Sequence, residues 1–228
     1  MKYIVLWLEG PLQSWGESSK YGRRETLAFP TKSGVYGMLL AAMGSKGEQE
    51  ELLAKLAPLP QKVLSFGSSS QMMDFHMIGS GYDSSDPWQK LAIPRKVDGV
   101  IPTGTGGSKM TYRYYLQDAK FAVIQGVSDE LLDPIVDALK HPVYSPSLGR
   151  KSCVPTEFIF QGIYDSQEEA EEHAKKIAGE KCVELAYDVR ESSEANPWDL
   201  AVQDVPIVFG SHKKYAGRYV EITEYAKT

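Results

Sequence analysis

The chain has 228 residues, 42% of them apolar and 24% charged, with a net charge of −5. That is enough apolar material for a sizeable core and excludes wholesale disorder, and no apolar run reaches the roughly 18–20 residues of a membrane span. Residues 1–156 hold 17 Lys and Arg against 15 Asp and Glu, a balance of +2, whereas residues 157–228 hold 8 against 15, a balance of −7; a polyanion is expected to meet the first two thirds.

Residues 2–8 alternate apolar side chains on both sides, Tyr3, Val5 and Trp7 against Ile4, Leu6 and Leu8. This predicts a strand covered on both faces. Glu9 interrupts the stretch and no small-residue cleavage site follows, so it reads as a strand and not as a signal peptide. After a polar loop over 10–32, Val35, Met38, Leu39, Ala42 and Met43 recur at helical spacing, giving a helix over 33–44 that ends near Gly44. A second helix over 48–57 stops at Pro58 and Pro60.

Residues 62–67 and 71–78 read as strands. Residues 79–111, broken by Pro87, Pro94 and Pro102, are too poor in apolar residues for core and form a projecting loop or ribbon, long enough to suggest function. Strands follow at 112–117 and 120–126, then a helix over 129–140 with Ser128 at its N-cap and Pro142 beyond its end. After a loop over 142–156 comes a strand over 157–164. The order β-α-β-β-α-β fits an α+β, ferredoxin-like (RRM-like) domain over 1–164. The remainder, 165–228, gives a polar helix over 166–178 and strands near 182–189, 204–209 and 218–223, a small, mostly β region.

Five stretches could carry chemistry. Gly10-Pro11-Leu12-Gln13-Ser14-Trp15-Gly16 follows the first strand; its glycines allow a close backbone approach and Trp15 can stack on a base, the plainer alternative being a capped turn around a half-buried indole. Lys20-Tyr21-Gly22-Arg23-Arg24 precedes Thr31-Lys32-Ser33 at a helix start, where free N–H groups, two hydroxyls and Lys32 suit a phosphate. Capping by Ser33 explains the second run equally well, and no Walker A spacing supports nucleotide hydrolysis. Asp74-Phe75-His76 places a carboxylate and an imidazole on one strand face, for proton transfer or, more plainly, for a structural hydrogen bond. In Thr111-Tyr112-Arg113-Tyr114-Tyr115, Tyr112 and Tyr114 share one face while Arg113 and Tyr115 share the other, a stacking platform for bases or simply a good strand. Ser147-Leu148-Gly149-Arg150-Lys151-Ser152-Cys153 joins a glycine, two cations and flanking hydroxyls, a phosphate clamp or a solvated basic turn.

Cys153 and Cys182 form no CxxC pair, which excludes a cysteine zinc site and fits reduced thiols in the cytoplasm. His141 reads as a helix C-cap, His173 as part of a solvated acidic face, and His212-Lys213-Lys214 with Arg218 as a small surface basic patch.

These runs, in this order, resemble the CasD family, the 5′-handle-binding subunit of type I-E Cascade complexes. The resemblance rests on GPLQSWG at 10–16, FPTKSGVYGMLLAAMG at 29–44, DFH at 74–76, TYRYYLQDA at 111–119 and SLGRKSC at 147–153. It implies that 79–111 is a thumb inserted in the domain. It also implies a non-catalytic protein that holds the single-stranded 5′ handle of a crRNA beside the large and backbone Cascade subunits in antiviral defence, with no cofactor, metal or membrane. The expected RNA contacts are Gln13, Trp15, Arg23, Arg24, Thr31, Lys32, Ser33, His76, Tyr112, Arg113, Tyr115, Gly149, Arg150, Lys151 and Ser152. A sister subfamily cleaves precursor guide RNA without metal, using tyrosine, lysine and histidine. That trio finds no match here, because Lys140-His141 lies at a helix end and His76 has no adjacent lysine. A metal-independent endoribonuclease, with Tyr21 or His76 assisting attack by a 2′-hydroxyl, stands as the alternative. A scaffold or effector-binding domain with no RNA affinity is the third.

Overall fold

A computed structural model of the chain describes residues 1–16, 22–78, 81–83, 85–93, 95, 99–100, 109–192 and 196–225. In chain order the elements are β1 (Lys2–Glu9), β2 (Leu12–Gln13), β3 (Arg23–Arg24), α1 (Lys32–Ala42), α2 (Glu50–Leu56), β4 (Gln61–Phe66), β5 (Ser70–Ile78), α3 (Pro87–Ala92), β6 (Lys109–Gln117), β7 (Lys120–Val127), α4 (Asp129–Lys140), β8 (Phe160–Tyr164), α5 (Gln167–Glu180), β9 (Leu185–Glu191), β10 (Leu200–Val208) and β11 (Lys214–Glu224).

Seven strands make one antiparallel sheet in the order β10-β11-β9-β4-β7-β1-β8. β1 serves both of its faces, as its two-sided alternation predicts. Ile4, Leu6 and Leu8 enter the larger core with Val35 and Leu39 of α1 and Ile135 of α4. Val5 and Trp7 pack on the opposite face with Leu64, Phe66, Ala122 and Ile124. Helix α5 closes that second face with Ala170, Ala174 and Ala178, four residues apart and so on one side of the helix. Their small side chains let α5 lie close over Trp7, whose ring stacks on Phe66 at 5.4 Å.

Strands after residue 164 widen the same sheet: β9 pairs with β4, β11 with β9, and β10 with β11. The boundary expected at residue 164 therefore falls within one sheet. The strand expected over 157–164 begins only at Phe160. β2, β3 and α3 are too short to leave a periodic signal in the sequence. Among the described residues no helix is long and apolar enough to cross a membrane.

A second sheet stands beside the first. β5 and β6 pair antiparallel from Ser70↔Gln117 to Ile78↔Lys109, and β2 and β3 line the other edge of β6. This ribbon is inserted between β4 and β7. Within the stretch 79–111, read from the sequence as a projecting loop or ribbon, β6 begins at Lys109 and α3 lies inside it, its first turn capped by the Asp86 carboxylate. Most of the remaining thumb stretch, 96–98 and 101–108, lies outside the described residues, as does Tyr21.

Candidate nucleic-acid interface

The loop after β1 turns inward. Trp15 is fully buried, its indole N–H donating to Gln13 Oε1 at 3.1 Å. Gln13, also buried, donates in turn to the carbonyls of Leu8 (3.0 Å) and Ala119 (2.7 Å). A Cβ on Gly34 would lie 2.7 Å from the indole Cε3, so α1 approaches Trp15 only because residue 34 is glycine. Neither Gln13 nor Trp15 can meet a base; the expectation of stacking by Trp15 is corrected, and both residues hold the loop in place.

The N-terminus of α1 is likewise occupied. Thr31, not Ser33, caps it, its hydroxyl accepting from Gly34 N at 3.1 Å. Asp204 of β10 accepts from Lys32 N at 2.7 Å, taking the place an anion would fill. Lys32 Nζ lies 2.5 Å from Glu191, and Arg218 donates to both Asp204 oxygens at 2.7 and 2.8 Å and to Glu191 at 2.8 Å. Burial pulls the Lys32 ammonium below its ordinary pKa, against the pull of Glu191. Burial acts on Arg218 in the same sense, but Asp204 and Glu191 outweigh it and leave its pKa raised. Thr31 and Lys32 are buried, and the Ser33 hydroxyl lies 3.4 Å from Thr31 Oγ1. This phosphate site is therefore corrected to an internal ion-pair cluster, and Arg218 belongs to that cluster and not to a surface patch.

The other candidates converge on the ribbon. Register places Asp74, Arg113 and Arg24 abreast on one face, with His76 opposite Thr111 on that face. Toward the core this face carries Tyr115, which is buried. The Arg150 guanidinium covers the Tyr115 ring at 4.6 Å and donates through Nη2 to the Arg24 carbonyl at 2.9 Å. Among the described residues, Arg150 Nη1 and His76 Nδ1 are buried atoms without a hydrogen-bond partner. The opposite face carries Tyr112, which is 45% exposed, Tyr114 under the Arg23 guanidinium at 4.9 Å, and exposed Met73, Phe75, Met77 and Met110. Phe75 meets Tyr112 at 5.3 Å. Phe75 read only as a spacer between Asp74 and His76, although the alternation Met73-Phe75-Met77 carries the signal of an apolar face.

The loop over 147–153 reaches this ribbon through the loop after β1. Ser14 N donates to Leu148 O at 3.1 Å, and Ser14 Oγ donates to Tyr114 O at 3.1 Å. Gly149, Lys151 and Ser152 are exposed. Arg150 thus joins the loop to the face of the ribbon that carries Arg24 and Arg113, with exposed Lys151 and Ser152 next to it in the loop; Arg23 and Tyr112 lie on the opposite face, Gln13, Trp15, Thr31 and Lys32 are inside, and Tyr115 lies beneath Arg150. Cys153 is buried, which pushes its thiol pKa up; Cys182 is exposed and both are free thiols. Among the described residues no group of three or more His, Cys, Asp or Glu side chains is placed to hold a metal.

A family model described as CRISPR-associated protein (Cas_Cas5) matches residues 3–221. The CRISPR system Cascade subunit CasD of Escherichia coli (strain K12) is 27% identical over 172 residues, covering 70% of this chain and 70% of the relative. Among solved structures, a chain of a CRISPR RNA-guided surveillance complex superposes with a TM-score of 0.74 at 25% identity, covering 97% of this chain and 89% of that one. A second, titled as the crystal structure of a Cas protein, gives a TM-score of 0.61 at 26% identity over 97% and 94%.

Proposed function

The chain belongs to the CRISPR-associated protein (Cas_Cas5) family, and from that membership we propose that it is a non-catalytic subunit of a Cascade surveillance complex, holding the single-stranded 5′ handle of the crRNA. The observation that carries this reading is the approach of Arg150 to the face of the ribbon on which Arg24 and Arg113 lie abreast at its middle. Arg150 is fixed by Arg24 and Tyr115, and its Nη1 donor has no acceptor among the described residues. A buried donor left unpaired is costly, and a bound phosphate is one way to satisfy it.

In this reading Arg24, Arg113, Arg150, Lys151 and Ser152 line the sugar–phosphate path, and Tyr112 offers a stacking surface beside Arg23. RNA sequence is read on splayed single strands by such aromatic and guanidinium planes. The strand order β4-β7-β1-β8, with α1 and α4 on one face, supports a ferredoxin-like plan, and the β5–β6 ribbon supports a thumb. The opposite sheet face, which an RNA-recognition motif would use, is covered here by α5. RNA is therefore assigned to the ribbon and not to the main sheet. The large and backbone subunits are the expected neighbours, and the cytoplasm is the expected compartment.

The test is co-purification of the chain from cells carrying the repeat array, with sequencing of the bound RNA. Repeat-derived 5′ ends are the expected result. Recovery of the complex without RNA, or of RNA unrelated to the repeat, refutes the assignment. Incubation of the purified chain with repeat RNA in chelator addresses cleavage: intact RNA is expected, and a single clean cut would favour the endoribonuclease reading.

A further inference from the structure

Beside the basic loop lies a groove of about 470 Å³ that the RNA path does not yet use. Its walls include Ala41 at the C-terminal end of α1, Tyr144, Pro146, Ser147, Lys151 and Val154. Tyr144 is 45% exposed and Val154 64% exposed, so the ring and the branched side chain face open space. Lys151 is exposed and brings the one formal charge among these six residues. The loop's position is fixed from two sides: Val143 N donates to Ala42 O at 2.9 Å, and Ser14 N to Leu148 O at 3.1 Å. The groove is therefore a formed feature of the fold. It shares its loop with Arg150, whose guanidinium is fixed on Arg24.

We propose that this groove receives one splayed nucleotide of the RNA strand, its base against Tyr144 and its phosphate at Lys151. The inference rests on the RNA-binding reading above. Three observations favour a nucleotide over a segment of another protein. The walls combine an aromatic ring, apolar side chains and a few polar groups, which is the make-up of a small-ligand pocket of this volume. The charge at its rim is cationic, complementary to a phosphate. It continues the basic path, because Lys151 follows Arg150 directly. Ser147 at the wall offers a hydroxyl to the polar edge of a base, and a nucleobase stacked on Tyr144 needs no particular identity for that contact.

The experiment uses the full-length chain and a synthetic single-stranded RNA carrying the repeat-derived 5′ segment of the cell's own guide, with 2-aminopurine placed at each position in turn. Stacking on Tyr144 should quench the fluorophore at one or two positions in the wild type. Tyr144→Ala should restore emission at those positions alone and weaken binding by roughly 5- to 150-fold, the range of one lost base stack. Tyr144→Phe, which keeps the ring, should behave as wild type. If Tyr144→Ala binds and quenches as wild type does, while wild-type binding stays strong and salt-dependent, the groove is not a base pocket and the RNA-binding reading stands. If Tyr144→Ala leaves RNA binding intact but loosens association with other subunits, the groove is a protein contact and the proposal falls. If the wild type binds no RNA, both readings fall.

Discussion

Gly149 meets Ser14 backbone to backbone: a Cβ built on Gly149 would lie 1.8 Å from the Ser14 carbonyl oxygen, and residue 149 sits at φ +86°. Neither that distance nor that dihedral tolerates a side chain. The contact seats the basic loop against the loop after β1 and, through Ser14 Oγ, against the ribbon at Tyr114. Gly149→Ala is therefore expected to lift Arg150 off Arg24 and Tyr115. The left-handed conformation alone would cost about 1–2 kcal/mol, before the clash. A lower Tm together with weaker RNA binding is the expected pair of readouts, by circular dichroism and filter binding. Unchanged values in both would show that the loop accommodates a methyl group elsewhere.

Trp15 and Tyr112 should separate stability from binding. Trp15 is fully buried between Gly34 and the loop containing Gly149, so Trp15→Ala empties a core site and should destabilise the fold by about 3–5 kcal/mol. Tyr112 is 45% exposed on the ribbon. Tyr112→Ala should leave the urea midpoint nearly unchanged and weaken RNA binding by about 1–3 kcal/mol, the contribution of one stacked base. If Tyr112→Ala binds normally, bases do not use that face.

Local patterns in the sequence were legible and long-range partners were not. The two-sided alternation of Ile4 to Leu8 announced a strand covered on both faces, because burial acts on each side chain independently. The runs that became α1 and α4 were long enough for helical spacing to register, whereas the two residues of β2 or β3 were not. That β9 pairs with β4 depends on chain closure and packing, which no local pattern records. The same limit governed the site. Thr31, Lys32 and Ser33 do have the composition of an anion site, yet Asp204, 172 residues away, fills it. Tyr112 and Arg113 fell on the faces the alternation gave them, but only the structure tells which face is open.

The Asp204 cluster gives a direct test of that correction. Asp204 is 1% exposed and holds Arg218 and the first N–H of α1. Asp204→Ala leaves Arg218 buried beside one remaining carboxylate, and breaking such a pair costs about 3–5 kcal/mol. Lys32→Met should also shift stability, yet leave the RNA affinity of the folded fraction unchanged. A Lys32→Met protein of normal stability with weakened RNA binding would restore the phosphate site.

Glu9 and Lys181 should give the fold a pH dependence. Glu9 Oε2 accepts from the Trp7 indole at 2.8 Å and lies 3.0 Å from Lys181 Nζ. Burial raises the Glu9 pKa, but Trp7 and Lys181 outweigh it and hold it below its ordinary value of 4.5. The carboxylate thus stabilises the fold in full above that ordinary value, and its contribution disappears as pH falls through the lower folded value. Lys181 is raised above 10.5, chiefly by its hydrogen bond to Glu157, so its contribution is full below 10.5 and lost as pH rises through the folded value. Urea denaturation of wild type and Glu9→Gln across the acid range checks the first arm. Their difference should be largest near neutrality and shrink in acid; a constant difference would mean that the charge of Glu9 is immaterial.

Salt dependence distinguishes the cations that touch phosphate from those that only hold the fold. Counterions released from a nucleic acid make log affinity fall linearly with log salt, in proportion to the phosphates neutralised. Lys151 is exposed beside Arg150 and takes no part in the Asp204 cluster. Lys151→Ala is expected to weaken binding of single-stranded RNA at every salt concentration and to reduce the magnitude of the log–log slope by about 0.7, one phosphate on a single strand. Arg150→Ala should lower the slope similarly and also lower Tm, because its guanidinium covers Tyr115 and holds the Arg24 carbonyl. Lys55→Ala, whose parent side chain pairs with Glu130 on the α2–α4 side of the molecule, should leave the slope unchanged. Fluorescence anisotropy at four or five salt concentrations gives the slopes of the wild type and the three variants. Equal slopes for wild type and Lys151→Ala would remove the 147–153 loop from the path of the RNA.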